Sequence, residues 1–201
     1  ATGAGGDPVL FNARRYAGTN VARSITGFGF QPDLLWTKRR DSTRSHYLWD
    51  SLRGSADLIS DTSAAQGTTG QGRVNSFDSD GYSINQENTS LNINVDGGEH
   101  ITWGWKAGTA YTPTASAYTS PTASINVAGG FGIYKVTDNS TASGSSISHG
   151  LGVAPDMIFG KALANAYNWD VYFRGATSTS NRLILNSDAA VLGLGADNDV
   201  T

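Results

Sequence analysis

The chain has 201 residues, of which 25 are glycine and none cysteine, and 15% charged residues sum to a net charge of −3. The lack of cysteine excludes a disulfide framework, a cysteine-ligated zinc and a thiol nucleophile. Slight acidity spread along the chain argues against a nucleic-acid partner, which wants a basic stripe, and no run approaches the ~20 apolar residues of a membrane helix. Only four of the 14 basic residues are lysine, and Glu87 and Glu99 are the only glutamates. Good formers of surface helix are therefore scarce, and the composition points to an all-β chain.

Strand-like runs bounded by turn residues recur at 9–16, 33–38, 46–50, 73–77, 81–85, 100–106, 131–136, 156–161, 168–173 and 181–186. Residues two apart share a strand face, so Ile101, Trp103 and Trp105 line one side of their strand. The same alternation groups Trp169, Val171 and Phe173, opposite Asn168, Asp170 and Tyr172. Trp36, Trp103, Trp105 and Trp169 are assigned to cores. Asp78-Ser79-Asp80-Gly81 and Asp96-Gly97-Gly98 are hairpin-type turns. Residues 55–66 are the one stretch where a short helix or 3₁₀ turn fits. From Ala107 to Ser124 the chain is almost free of large aliphatic residues, uncharged, and carries Pro113 and Pro121. It reads as an extended connector, with an edge strand held by Tyr111 and Tyr118 as the alternative.

Aligned on itself, the chain shows an internal repeat. Residues 27–38 (GFGFQPDLLWTK) match 150–161 (GLGVAPDMIFGK) without a gap, so Gly27, Gly29, Pro32, Asp33 and Lys38 coincide with Gly150, Gly152, Pro155, Asp156 and Lys161. Arg53-Gly54 recurs as Arg174-Gly175, and 58–65 matches 183–190. The proline holds the chain extended at a strand entrance. The aspartate bonds a nearby backbone amide, the apolar positions bury one strand face, and the lysine at the exit stays in solvent. The first copy continues for about forty residues beyond Ala65, whereas eleven follow Ala190. A copy without its last hairpins exposes edges and apolar faces. Either a parent chain continues beyond Thr201 or a partner chain completes the sheet.

The blocks 29–40 (GFQPDLLWTKRR), 46–54 (HYLWDSLRG), 77–84 (FDSDGYSI) and 101–108 (ITWGWKAG) together resemble a repeat domain of tail fibres and other virion structural proteins of tailed bacteriophages and prophages. That pattern runs GFxPDLVWIKxR, DSxRG, FxSDGF and AWxWKAG. Residues 149–158, Lys161 and 169–172 resemble its variant. Thr37 and Tyr82 depart from it, standing where an aliphatic residue and phenylalanine belong. The resemblance implies a virion, extracellular setting and a β-sandwich-like domain rather than a chemistry.

Catalytic readings are weak. A glycosidase needs two carboxylates facing each other ~5–10 Å apart, and both glutamates flank turns. His46, His100 and His149 follow no nucleophile elbow, and His46 with Asp50 reads as an ordinary same-face pair. The loop at Asp78 lacks the rest of a calcium site. Carbohydrate binding without hydrolysis fits better, because sugar faces stack on aromatic rings while polar side chains address hydroxyls. The candidates are Trp49 with Asp50 and Arg53, and Tyr167, Asn168, Asp170 and Tyr172.

The expected architecture is two antiparallel, jelly-roll-like β-sandwich units in tandem. Residues 1–108 form the first, 109–124 the connector, and 125–201 an incomplete second. The expected function is a structural and adhesive module of a phage appendage, not an enzyme, with no cofactor or metal. Its partners are further copies in a homo-oligomer (a trimer by analogy with fibres), other virion proteins and host surface polysaccharide. The alternatives are a purely structural capsid or tail protein without a ligand, and a polysaccharide depolymerase.

Overall fold

Short runs of alternating apolar and polar residues, cut by glycine-rich turns, leave little room for anything but strands. The computed structural model describes residues 9–68, 72–87, 93–116, 118–138, 145–175 and 181–193, and among them there is no helix. The strands are β1 (Phe11–Ala17), β2 (Arg23–Thr26), β3 (Leu34–Arg39), β4 (His46–Asp50), β5 (Leu58–Ile59), β6 (Val74–Asp78), β7 (Gly81–Ile84) and β8 (Glu99–Trp105). They continue with β9 (Thr109–Tyr111), β10 (Ala115–Ser116), β11 (Tyr118–Asn126), β12 (Phe131–Asp138) and β13 (Ser146–Ile147). The last are β14 (Met157–Gly160), β15 (Asp170–Phe173), β16 (Asn181–Ile184) and β17 (Leu192–Gly193). Each of the ten runs read from the sequence contains or overlaps a strand. Residues 55–66 hold β5 and a bridge from Asp57 to Gly67 instead of a helical turn.

Two antiparallel sheets, β1-β8-β3-β4-β5 and β2-β7-β6, enclose the main core. Leu35 and Trp49 from the first meet Ile25, Val74, Tyr82 and Ile84 from the second, and Phe28, Phe30 and Ile93 fill the space between. Gly104 lets the Phe28 ring lie against β8 where any side chain would collide. A buried polar chain crosses this core: the hydroxyls of Tyr82 and Thr102 lie 2.7 Å apart, and those of Thr102 and Thr37 lie 2.8 Å apart. Burial pushes the Tyr82 phenol up to about 12.

The internal repeat is a repeat of strand register. In β3·β4, Leu34 stands opposite Asp50, and in β14·β15 Met157 stands opposite Phe173. The next pairing repeats too: Tyr47 opposite Ile59 and Leu48 opposite Leu58, against Asp170 opposite Ile184 and Val171 opposite Leu183. Even the strand-entry bond recurs, since Ser51 N donates to Asp33 O and Arg174 N to Asp156 O, both at 2.8 Å. Gly27, Gly29, Gly150 and Gly152 all have positive φ, from 68° to 93°, the left-handed conformation that favours glycine.

Residues 109–124 do not form a free connector. They carry β9, β10 and most of β11, and β9 and β11 belong to the sheet β12-β11-β9. The physical reason is Tyr111, which packs with the buried Ala123, Ile125 and Leu151 and sets its hydroxyl 2.8 Å from Ser148 Oγ. The alternative edge-strand reading holds for β9. A four-stranded sheet, β14-β15-β16-β17, closes the chain. It leans on the outer face of the first sheet, where Trp169 is buried with Leu48 and Leu58 beside Leu34, Trp36, Leu163 and Leu185.

Candidate functional site

Of the sequence-derived ligand candidates, the first group is structural. Trp49 is wholly buried in the main core. Asp50 accepts the Leu52 and Arg53 amides at 3.1 and 3.0 Å and pairs with Arg53 Nε at 2.5 Å, both side chains under a tenth exposed. Arg53 also donates to Ala56 O at 3.1 Å. Asp50 and Arg53 therefore close the turn after β4, while Trp49 fills the core. The reason is register: Trp49 opposes Leu35, whose face is the core face.

The second group lies on the surface but is dispersed among structural bonds. Tyr167 is 65% exposed. Asn168 accepts a bond from Asn186 at 2.9 Å, and Asp170 pairs with Arg182 at 3.0 Å. Tyr172 is half-buried opposite Ile158, on the same face of β15 as Asp170. The repeat residues are likewise structural. Asp33 is buried, accepting from Ser51 Oγ at 2.8 Å and from Ala107 N at 2.9 Å. Asp156 is exposed and pairs with Arg174 at 3.2 Å. Neither lysine simply hangs in solvent: Lys38 Nζ donates to Ser42 O and Arg44 O, and Lys161 Nζ to Ser63 O, Ala162 O and Asn165 O.

The catalytic candidates are separated. His46 Nδ1 accepts the Trp36 indole N–H at 3.1 Å, while Asp50 holds Arg53. Glu87 is buried and accepts the Ile93 amide, whereas Glu99 is exposed beside Arg40 at 3.1 Å. The Asp78–Gly81 segment is a hairpin turn. Asp78 accepts from Ser76 and Ser83, and Asp80 accepts the Gly29 and Gly27 amides at 2.6 and 2.9 Å. Those amides hold the Asp80 carboxyl below its usual range. Among the described residues no group of three or more histidines and carboxylates is placed to hold a metal.

What the structure does bring together is an aromatic band whose tryptophans the sequence pattern assigns to cores. Residues opposite each other in an antiparallel sheet share a face. The register therefore lays Phe11, Trp105 and Leu34 in one row, Ala13, Trp103 and Trp36 in the next, and Arg15, Ile101 and Lys38 in a third. All lie on the outer face of the first sheet. One flank is covered by Trp169 and Leu163. On the other, Phe11 is 48% exposed and Trp103 and Trp105 are half-buried. The Phe11 and Trp105 rings lie 5.0 Å apart, tilted by 51°.

The core-facing side of β8 is instead His100, Thr102 and Gly104, all buried. Of the four tryptophans assigned to cores, only Trp169 is buried; Trp36, Trp103 and Trp105 are partly exposed. The signal for this was present in the small residues alternating with the tryptophans: Gly104 opposite a phenylalanine-filled core leaves the large rings for the other side. Beyond the third row the face opens into a hollow of about 260 Å³ lined by Arg15, Tyr16, Ala17, Arg40, Glu99 and His100. Flat apolar rings, with a hollow bearing two arginines and a carboxylate further along the same sheet, form a surface that can stack the faces of an extended ligand and hydrogen-bond its polar groups.

No curated protein and no solved structure matches the chain. A family model described as "Domain of unknown function (DUF7483)" matches residues 8–198. That span takes in both copies of the repeat and every strand from β1 to β17, and the chain accordingly belongs to the DUF7483 family of domains of unknown function.

Proposed function

We propose that this chain is a structural and adhesive module of a bacteriophage virion appendage, fibre- or spike-like, that holds host surface polysaccharide weakly through its outer aromatic face. The observation that carries the reading is the partly exposed band of Phe11, Trp103 and Trp105 running towards Arg15 and the hollow beside it. Sugar rings present apolar C–H faces and polar edges, and this surface offers a counterpart to each. The resemblance to virion repeat domains supports the setting, outside the cell. In that reading the tandem copies are sandwich-like units, the second incomplete. The assembly is a homo-oligomer seated among other virion proteins, and multivalency turns weak contacts into firm attachment. Binding proceeds without hydrolysis and without a cofactor.

The test is titration of the chain with purified host capsular polysaccharide and lipopolysaccharide. Removing both indoles in Trp103→Ala/Trp105→Ala is expected to weaken binding about tenfold or more, since each stacked ring contributes on the order of 1 kcal/mol. Silence of the unmodified chain on every polysaccharide would reject adhesion. It would favour the second reading, a virion protein that binds only other proteins, for which the exposed apolar strand Met157–Gly160 speaks.

A further inference from the structure

Strand β14 repeats β3, but the two are finished differently. β3 lies between β8 and β4, whereas β14 has β15 on one side and no strand on the other among the described residues. In β3, Leu34, Trp36 and Lys38 stand opposite Trp105, Trp103 and Ile101 of β8. Asp33 is tied to the same segment twice: its N–H donates to Trp105 O at 2.7 Å, and its carboxylate accepts the Ala107 amide at 2.9 Å. On the β4 side the four pairings of β14·β15 reproduce four of those of β3·β4. β3 and β14 differ at the edge that β8 covers in the first copy.

That edge in the second copy has the surface of a covered strand. Met157, Ile158 and Phe159 are 47%, 38% and 46% exposed, next to Phe173 at 37%. Asp156, the counterpart of the buried Asp33, has its side chain 74% exposed. Exposed edges are normally blunted by charge, lysine above all. β14 itself carries no charged residue, and Lys161, which follows it, is drawn away to the carbonyls of Ser63, Ala162 and Asn165.

We propose that β14 is an acceptor edge for an antiparallel strand of the β8 type supplied from outside residues 1–201. The first copy specifies the donor. It has aromatic residues at two alternate positions facing Met157 and Phe159, a small residue between them facing Ile158, and two residues further on a backbone N–H for the Asp156 carboxylate. Main-chain pairing supplies affinity, and the alternate side chains supply register. Residues 194–201, LGADNDVT, contain no aromatic residue and do not fit this description. The β8 of a second copy is the central strand of its own sheet and is not free to donate.

The probe is a fluorescent peptide with the sequence of residues 98–108, GEHITWGWKAG, titrated into the full chain by anisotropy, with sedimentation velocity run alongside. Saturable one-to-one binding is expected. A peptide with serine at both tryptophan positions is expected to lose about tenfold or more in affinity, because it removes the aromatic positions that set register. Asp156→Ala in the protein is expected to cost a similar factor, about tenfold, by removing the charged acceptor. The peptide variant leaves the protein untouched, so its comparison stands even if Asp156→Ala folds poorly. Absence of binding, equal binding of the serine peptide, or a concentration-dependent dimer that Phe159→Lys abolishes and the peptide does not dissociate would each overturn the proposal. The last would assign β14 to self-pairing.

Discussion

Trp49 and His46 sit on one short strand and point to opposite faces of the sheet, and their surroundings set opposite tests. The Trp49 ring is wholly buried and stacks on Tyr47 at 5.9 Å between centroids. Trp49→Ala is expected to destabilise the fold by about 3–5 kcal/mol, read by urea denaturation; unchanged stability would return Trp49 to the list of ligand contacts. On the other face, His46 is pushed below its ordinary range by burial and then by the Lys38 charge. Its Nδ1 must stay unprotonated to accept the Trp36 N–H. A depressed folded value means that the unfolded chain takes up the proton first. The contribution of neutral His46 is therefore present above the unfolded pKa of about 6.5 and is lost as pH falls through the folded value. Between pH 7.5 and 5 the unmodified chain is expected to lose more stability than His46→Gln, and parallel pH profiles would refute this.

At the scale of elements, turns are held by side chains that reach across sheets. The Asp80 carboxylate, at the β6–β7 hairpin, accepts the amides of Gly27 and Gly29 at the entrance to β3. Both glycines have positive φ, so their amides converge on one anion. The carboxyl is held low by these bonds, and its contribution is present above the unfolded pKa of about 3.9 and lost as pH falls through the folded one. Asp80→Ala is expected to speed hydrogen exchange at the Gly27 and Gly29 amides at neutral pH while leaving β4 amides protected. Unchanged exchange at those glycines would show that another group holds the turn.

Across the whole molecule, Trp169 is the joint between the two copies. It is buried against Leu48 and Leu58 and donates its indole N–H to Ile59 O at 2.8 Å. Gln66 N bonds Leu163 O at 2.9 Å, and Lys161 reaches Ser63 O at 3.2 Å. Trp169→Ala is expected to cost about 3–5 kcal/mol and to split unfolding into transitions that differ between tryptophan fluorescence and far-ultraviolet circular dichroism. A single coincident transition at the original midpoint would mean that the copies are coupled elsewhere.

The sequence alone determined what depends on near neighbours. Period-two alternation, the Asp78–Gly81 turn, and the glycine, proline and aspartate at each repeat entrance all act within a few residues, so they were legible without a fold. Tertiary structure decided which face of each strand is covered, because that choice belongs to a second sheet brought from elsewhere in the chain. Trp49 went to the core because Leu35, opposite it, faces Tyr82 and Ile84, whereas Trp103 and Trp105 were left outside because Thr102 and Gly104 fit beneath Phe28 and Tyr82. The same distinction separates the two copies. Their entrance motif and register agree, and they part at one edge: a strand some seventy residues further along covers β3, and none among the described residues covers β14.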